Sequence, residues 1–144
     1  MAENRKLTRQ DFRHFLSIPT RWMDNDVYGH VNNVTYYSYF DTVVNEHLIT
    51  HAKLDPKTSR EIGLVVETKC KFMEELSFPE IIDAGLRVSK LGNSSIIYEI
   101  GLFKKEKSTP SAFGHFVHVY VDREEKRPVT IPQRVRNAVE PLLI

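Results

Sequence analysis

Residues 21–33 read Arg-Trp-Met-Asp-Asn-Asp-Val-Tyr-Gly-His-Val-Asn-Asn and bring a close-set group of chemically useful side chains together. Asp24 and Asp26 supply carboxylates, His30 an imidazole, and Asn32 and Asn33 two amides. The stretch is too polar, and too broken by Gly29, for regular structure. Either asparagine can cap a following helix, because its side chain accepts a backbone N–H of the first turn. A helix N-terminus offers unpaired N–H groups and a partial positive charge, which suit a carbonyl oxygen becoming an oxyanion. A carboxylate placed there could attack the carbonyl or deprotonate a water. The same residues also fit a plainer description, an Asx-rich turn ahead of a capped helix. Spacing alone leaves both open.

The elements that would position this loop follow from hydrophobic period. Leu16, Ile18, Thr20 and Trp22 alternate with Ser17, Pro19 and Arg21, which predicts a strand, at an edge because Pro19 lacks a donor. From Val34 the period turns helical to about His51. Val34, Tyr37, Asp41, Val44 and Leu48 fall on one face, with Tyr36, Phe40, Val43 and His47 beside it. So wide a stripe predicts a helix buried on much of its circumference. After Gly63 the period is two: Leu64, Val66, Thr68, Cys70 and Phe72 share a face. A further strand carries Ile82, Ala84, Leu86 and Val88, a turn follows at 91–94, and the next strand carries Ile96, Tyr98, Ile100 and Leu102. A last strand over 113–121 and a short helix over 133–142, opened by Pro132, complete the order. One sheet of about five antiparallel strands buries its apolar face and a long apolar helix together by curling around that helix. The expected class is α+β, as one domain over residues 1–144.

Bulk composition narrows the chemistry. Twenty Lys and Arg against nineteen Asp and Glu leave a net charge of +1, with no broad basic field for nucleic acid. Cys70 is the only cysteine, so no intramolecular disulfide and no thiolate-rich metal site can form. It reads as a small core residue. The first twelve residues form a polar lead-in without the apolar run of a signal peptide, and no stretch is apolar enough to cross a bilayer. A cytoplasmic location is expected, with no membrane partner. His47 and His51 stand one turn apart but lack a third ligand at matching spacing, and His115 and His118 point to opposite faces of a strand. No metal and no cofactor is therefore expected. Asp41 and Glu46 are candidates to reach a partner subunit's site. No G-x-S-x-G and no P-loop occurs.

The order Asp24, Asp26, Gly29, His30, Val31, Asn32, Asn33, followed by Tyr36, Tyr37, Tyr39 and Phe40, resembles the signature of the 4-hydroxybenzoyl-CoA thioesterase-like branch of the hotdog superfamily. The likeness extends to residues 87–102, Arg127-Pro128 and Ile131-Pro132. It implies a hotdog fold, a sheet wrapped around one long central helix. It implies an acyl-CoA thioester hydrolase in which Asp26 is the catalytic carboxylate. The backbone N–H that polarises the carbonyl then falls near Asn33, with His30 and Gly29 helping to position substrate, while Asp24 braces the loop. The plant acyl-ACP thioesterases share the D-x-x-x-H-V-N-N pattern, though the asparagine between their aspartate and histidine is Tyr28 here.

Tyr28, Tyr36 and Tyr37 are candidates for the acyl pocket, and Arg87 and Lys90 for the phosphates of coenzyme A. An acyl-carrier-protein thioester is an alternative substrate. The resemblance further implies a homodimer or homotetramer, with sheets joined edge to edge. Two other functions fit parts of the pattern. One is a hotdog enoyl-thioester hydratase or dehydratase, faintly matched by Asp26-x-x-x-His30 without the expected asparagine and proline. The other is a non-catalytic acyl-thioester binding module.

Overall fold

A computed structural model describes residues 6–144, so residues 1–5 of the polar lead-in lie outside the described part. Strand β1 (His14–Pro19) is followed by helix α1 (Asn33–His51), strands β2 (Glu61–Phe72), β3 (Ile81–Leu91), β4 (Ser95–Lys104) and β5 (Ala112–Asp122), and helix α2 (Gln133–Val139). The strands form one sheet in the order β1-β3-β4-β5-β2, with every neighbouring pair antiparallel. The class is α+β, as expected from the alternating patterns, and α1 is 19 residues long.

The core lies between α1 and one face of the sheet. Ile82, Ala84, Leu86 and Val88 of β3 and Ile96, Tyr98, Ile100 and Leu102 of β4 are all fully buried there. They oppose one another in register, Ala84 with Leu102 and Leu86 with Ile100, so one alternation reinforces the next. Gly114 on β5 admits α1 closely. A Cβ at that position would lie 2.6 Å from the Phe40 ring and also strike the Lys69 carbonyl.

The buried face of α1 is rotated from the one expected. Tyr36, Tyr39, Phe40, Val43, Val44, His47 and Leu48 are buried, whereas Val34 is 67% exposed and Asp41 lies in solvent. Burying Asp41 would strand an unpaired carboxylate. Facing outward, it accepts a hydrogen bond from Asn45 Nδ2 at 2.9 Å.

Two strands also differ from expectation. The first runs from His14 to Pro19 at the sheet edge, and Trp22, expected within it, begins a short 3-10 turn and is 75% exposed. Pairing stops there because the Glu80 N–H, opposite Thr20, turns back to the Ser77 carbonyl and does not return the bond that the Thr20 N–H makes to the Glu80 carbonyl. Strand β2 occupies the other edge with a bulge between Val65 and Glu67, leaving Leu64, Val65 and Val66 all exposed. Within the lead-in, Phe12 is buried on the sheet face opposite α1, where its ring occupies the space above Gly85 and Gly101.

Candidate active site

Asp24 fixes the loop between β1 and α1. Its carboxylate is buried and accepts hydrogen bonds from the Arg21 N–H (2.9 Å), the Arg21 guanidinium (2.9 Å) and the Tyr39 hydroxyl (2.8 Å). Burial by itself would raise its pKa, but these donors outweigh burial and hold it below the ordinary carboxylate value. Burial, and then the bond to Asp24, push Tyr39 up, so the phenol stays a donor. Asp24 thus braces the loop against α1.

Backbone bonds then draw the loop tight. The Asn32 N–H donates to the Asp24 carbonyl at 2.8 Å, and the Asp26 N–H to the His30 carbonyl at 2.8 Å. Gly29 turns the chain at φ +84°, a conformation that other residues rarely adopt. A second segment, entering after β2, pins the outside of the loop. The Val31 N–H donates to the Leu76 carbonyl (2.7 Å), the Phe78 N–H to Asn25 Oδ1 (3.0 Å), and the Ser77 hydroxyl to the Gly29 carbonyl (3.0 Å).

Asp26 is thereby aimed. Its Oδ1 accepts from the Tyr28 N–H at 2.9 Å and, more weakly, the His30 N–H at 3.4 Å, while Oδ2 has no partner among the described residues. The cap of α1 is Asn32, whose Oδ1 accepts the Val34 N–H at 3.0 Å. Asn33 is the first helical residue, and its N–H has no acceptor among the described residues. Asp26 and Asn33 both line one groove of about 310 Å³. His30 and Tyr36 share that wall, and Phe72, Met73, Glu74 and Glu75 form the other. His30 Nε2 lies 2.9 Å from Glu75 Oε2, and the Tyr36 and Phe72 rings meet edge to face at 4.8 Å. A carboxylate with one free oxygen, in the same groove as the residue that carries an unpaired helix N-terminal donor, can act on a polarised carbonyl.

Of the residues singled out from sequence, Asp26, His30, Asn33 and Tyr36 converge, with Gly29 making the turn beside them. The others do not line this groove. Tyr28 is 80% exposed, and Tyr37 packs against Phe40 on the flank of α1. Arg87 projects from the opposite sheet face, where its Nε bonds Glu99 at 2.7 Å, and Lys90 is exposed near the end of β3. Cys70 is half-buried, and burial pushes its thiol up to about 11. Glu46 is held by His14 at 2.8 Å. His47 is buried and stacks with His51 and His14, and no described group of three or more His, Cys, Asp or Glu is arranged to hold a metal. Phe72 was read only as the end of a strand, and Met73 to Glu75 were missed, because those three residues belong to no motif and follow no period.

Residues 20–139 match the family model of the thioesterase-like superfamily. The crystal structure of PA5185 from Pseudomonas aeruginosa strain PAO1 superposes with a TM-score of 0.94 at 49% identity, over 96% of this chain and 97% of that one. PA2801 of Pseudomonas aeruginosa, provisionally assigned as a thioesterase, gives a TM-score of 0.81 at 27% identity, over 89% and 98%. The BH1999 gentisyl-coenzyme A thioesterase gives 0.76 at 22% identity, over 88% and 99%, a likeness of fold.

Proposed function

Because the chain belongs to the thioesterase-like superfamily, we propose that it is a cytoplasmic acyl-CoA thioester hydrolase that releases a free acid and coenzyme A. Residues 1–144 are read as one hotdog unit, its sheet curled about α1. The observation that carries the reading is that Asp26, with Oδ2 uncommitted, and Asn33, with its N–H uncommitted, line one groove.

A thioester has little of the resonance of an ester, so its carbonyl is open to a weak nucleophile. With its oxygen on the Asn33 N–H, the carbonyl carbon is presented to Asp26. The carboxylate either attacks, breaking the C–S bond to expel the coenzyme A thiolate and giving an anhydride that water opens, or deprotonates a water whose attack expels the same thiolate. We favour attack, since Oδ2 has no partner among the described residues while Oδ1 is anchored by the loop. His30, held by Glu75, closes the groove beside the reacting carbon. Tyr36 and Phe72, meeting edge to face across the groove, offer aromatic surface for the acyl group, which suits an aromatic acid of the kind named for the gentisyl-coenzyme A thioesterase.

The test is thiol release from a panel of acyl-CoA substrates by the full chain. Asp26→Asn keeps the size and loses the charge, so kcat should fall by about 10²-fold or more while the melting temperature holds. A single turnover in ¹⁸O water that labels the Asp26 carboxylate would establish the anhydride. Near-normal turnover by Asp26→Asn would remove the aspartate from the mechanism.

A further inference from the structure

The sheet face turned away from α1 carries a second, larger hollow of about 690 Å³. We propose that it holds the phosphates of the substrate's nucleotide end, a deepening that rests on the acyl-CoA hydrolase reading above. Its floor follows from strand register. Lys69, His115, Glu99 and Arg87 stand in one row across β2, β5, β4 and β3. The next row is Lys71, Phe113, Gly101 and Gly85, in which the Phe12 ring lies over the two glycines and leaves Lys71 and Phe113 to line the hollow.

The charges in that row are not equivalent. Arg87 is spent on Glu99 at 2.7 Å, and His115 on Glu67 at 2.6 Å. Lys69 and Lys71 have no partner among the described residues, and both line the hollow. Two ammonium groups two residues apart on one strand project to the same side, a spacing that suits a phosphorylated ligand. Phe113 and Met73 supply apolar wall beside them. The strand cations available to phosphate are therefore the β2 lysines rather than Arg87, with Lys6 also on the rim of the hollow.

Continuity supplies the second argument. Met73 and Glu74 line both this hollow and the groove that contains Asp26. A thioester seated at Asp26 can lead its pantetheine arm over Met73, around the end of β2, and deliver its nucleotide to Lys69 and Lys71. A volume of 690 Å³ falls within the ~300–1,000 Å³ of small-molecule sites.

The decisive variant is Lys69→Gln/Lys71→Gln, with Lys53→Gln/Lys57→Gln as a charge-matched control in the loop after α1. With an acyl-CoA, the pocket variant should raise KM about tenfold or more, leave kcat within about twofold, and lose the salt dependence of KM. With the matching acyl-pantetheine, which lacks the nucleotide, variant and native chain should agree. By calorimetry, adenosine 3′,5′-bisphosphate should bind the native chain and the control, and not the pocket variant. An unchanged KM for acyl-CoA overturns the proposal, as does an equal loss with both substrates. Impaired hydrolysis of an acyl-carrier protein alone also overturns it, by making the lysines a protein-docking patch. If no thioester is hydrolysed, the calorimetric arm still decides: binding lost with the lysines upholds the hollow while the hydrolase reading fails, and no binding overturns it.

Discussion

At the scale of single residues, neighbouring asparagines divide their work. Asn32 spends its side chain on the Val34 N–H, and Asn33 contributes a backbone N–H at the first helical position. Proline is well tolerated at that position, since its missing donor would have no helical partner and its φ is already helical. Asn32, at φ −59° and ψ 136°, already has the extended backbone that a residue before proline requires. Asn33→Pro therefore deletes the proposed oxyanion donor with little demand on the fold. We predict that kcat drops about 10²-fold or more, with the melting temperature nearly unchanged. Full turnover by a folded Asn33→Pro protein would show that the donor lies elsewhere.

At the scale of elements, the approach of α1 to the sheet depends on Gly114. Adding one methyl there meets the Phe40 ring and the Lys69 backbone, and the latter cannot swing aside. Gly114→Ala should cost about 1–3 kcal/mol or more in denaturant unfolding, and stability unchanged within error would refute the packing argument. What the sequence disclosed of these elements followed what governs each one. β3 and β4 were legible because a strict period of two meets a single buried face. The orientation of α1 was not, because a wide apolar stripe leaves the helix free to rotate until Asp41 reaches water. The loop around Asp26 was legible as a candidate site through its motif. The facing wall from Met73 to Glu75 was not, since it is placed by distant bonds such as Val31 N–H to the Leu76 carbonyl. The pairing of Arg87 with Glu99 likewise depends on a cross-strand register that no local pattern contains.

Two properties belong to the whole molecule, and the first is its response to acid. Burial holds His118 down to about 4, and burial together with neighbouring His14 and His51 holds His47 down to about 4, against an ordinary 6.5. The folded state therefore prefers both imidazoles neutral, and between pH 4 and 6.5 the unfolded chain binds more protons. Their contribution is complete above pH 6.5 and is lost as pH falls toward 4, by about 3 kcal/mol for His118. Thermal melts at pH 7.5 and 5.0 should differ substantially, and His118→Phe should narrow the gap; a gap of unchanged size would exclude His118 as a source.

The second property is assembly. Both sheet edges carry unpaired backbone groups, but they are unequal: β1 has six residues and ends in Pro19, whereas β2 has twelve and no proline. Long open edges are templates for pairing, and folded proteins pair, cover or charge them. On β2, Leu64, Val65 and Val66 are 42%, 46% and 59% exposed, so this edge offers apolar surface as well as unpaired donors. Its far end runs into Met73 and Glu74, the lip of the Asp26 groove. A second copy pairing along β2 would cover the valines and stand beside that groove, which couples association to activity. We therefore expect the active species to be at least a dimer. Val65→Lys/Val66→Lys sets charge on the exposed edge while sparing the buried core. Light scattering at micromolar concentration should give a dimer or tetramer for the native chain and a folded monomer of low kcat for this variant. A native chain that is monomeric and fully active would sink the assembly argument, and a monomeric variant with native kcat would break its link to the site.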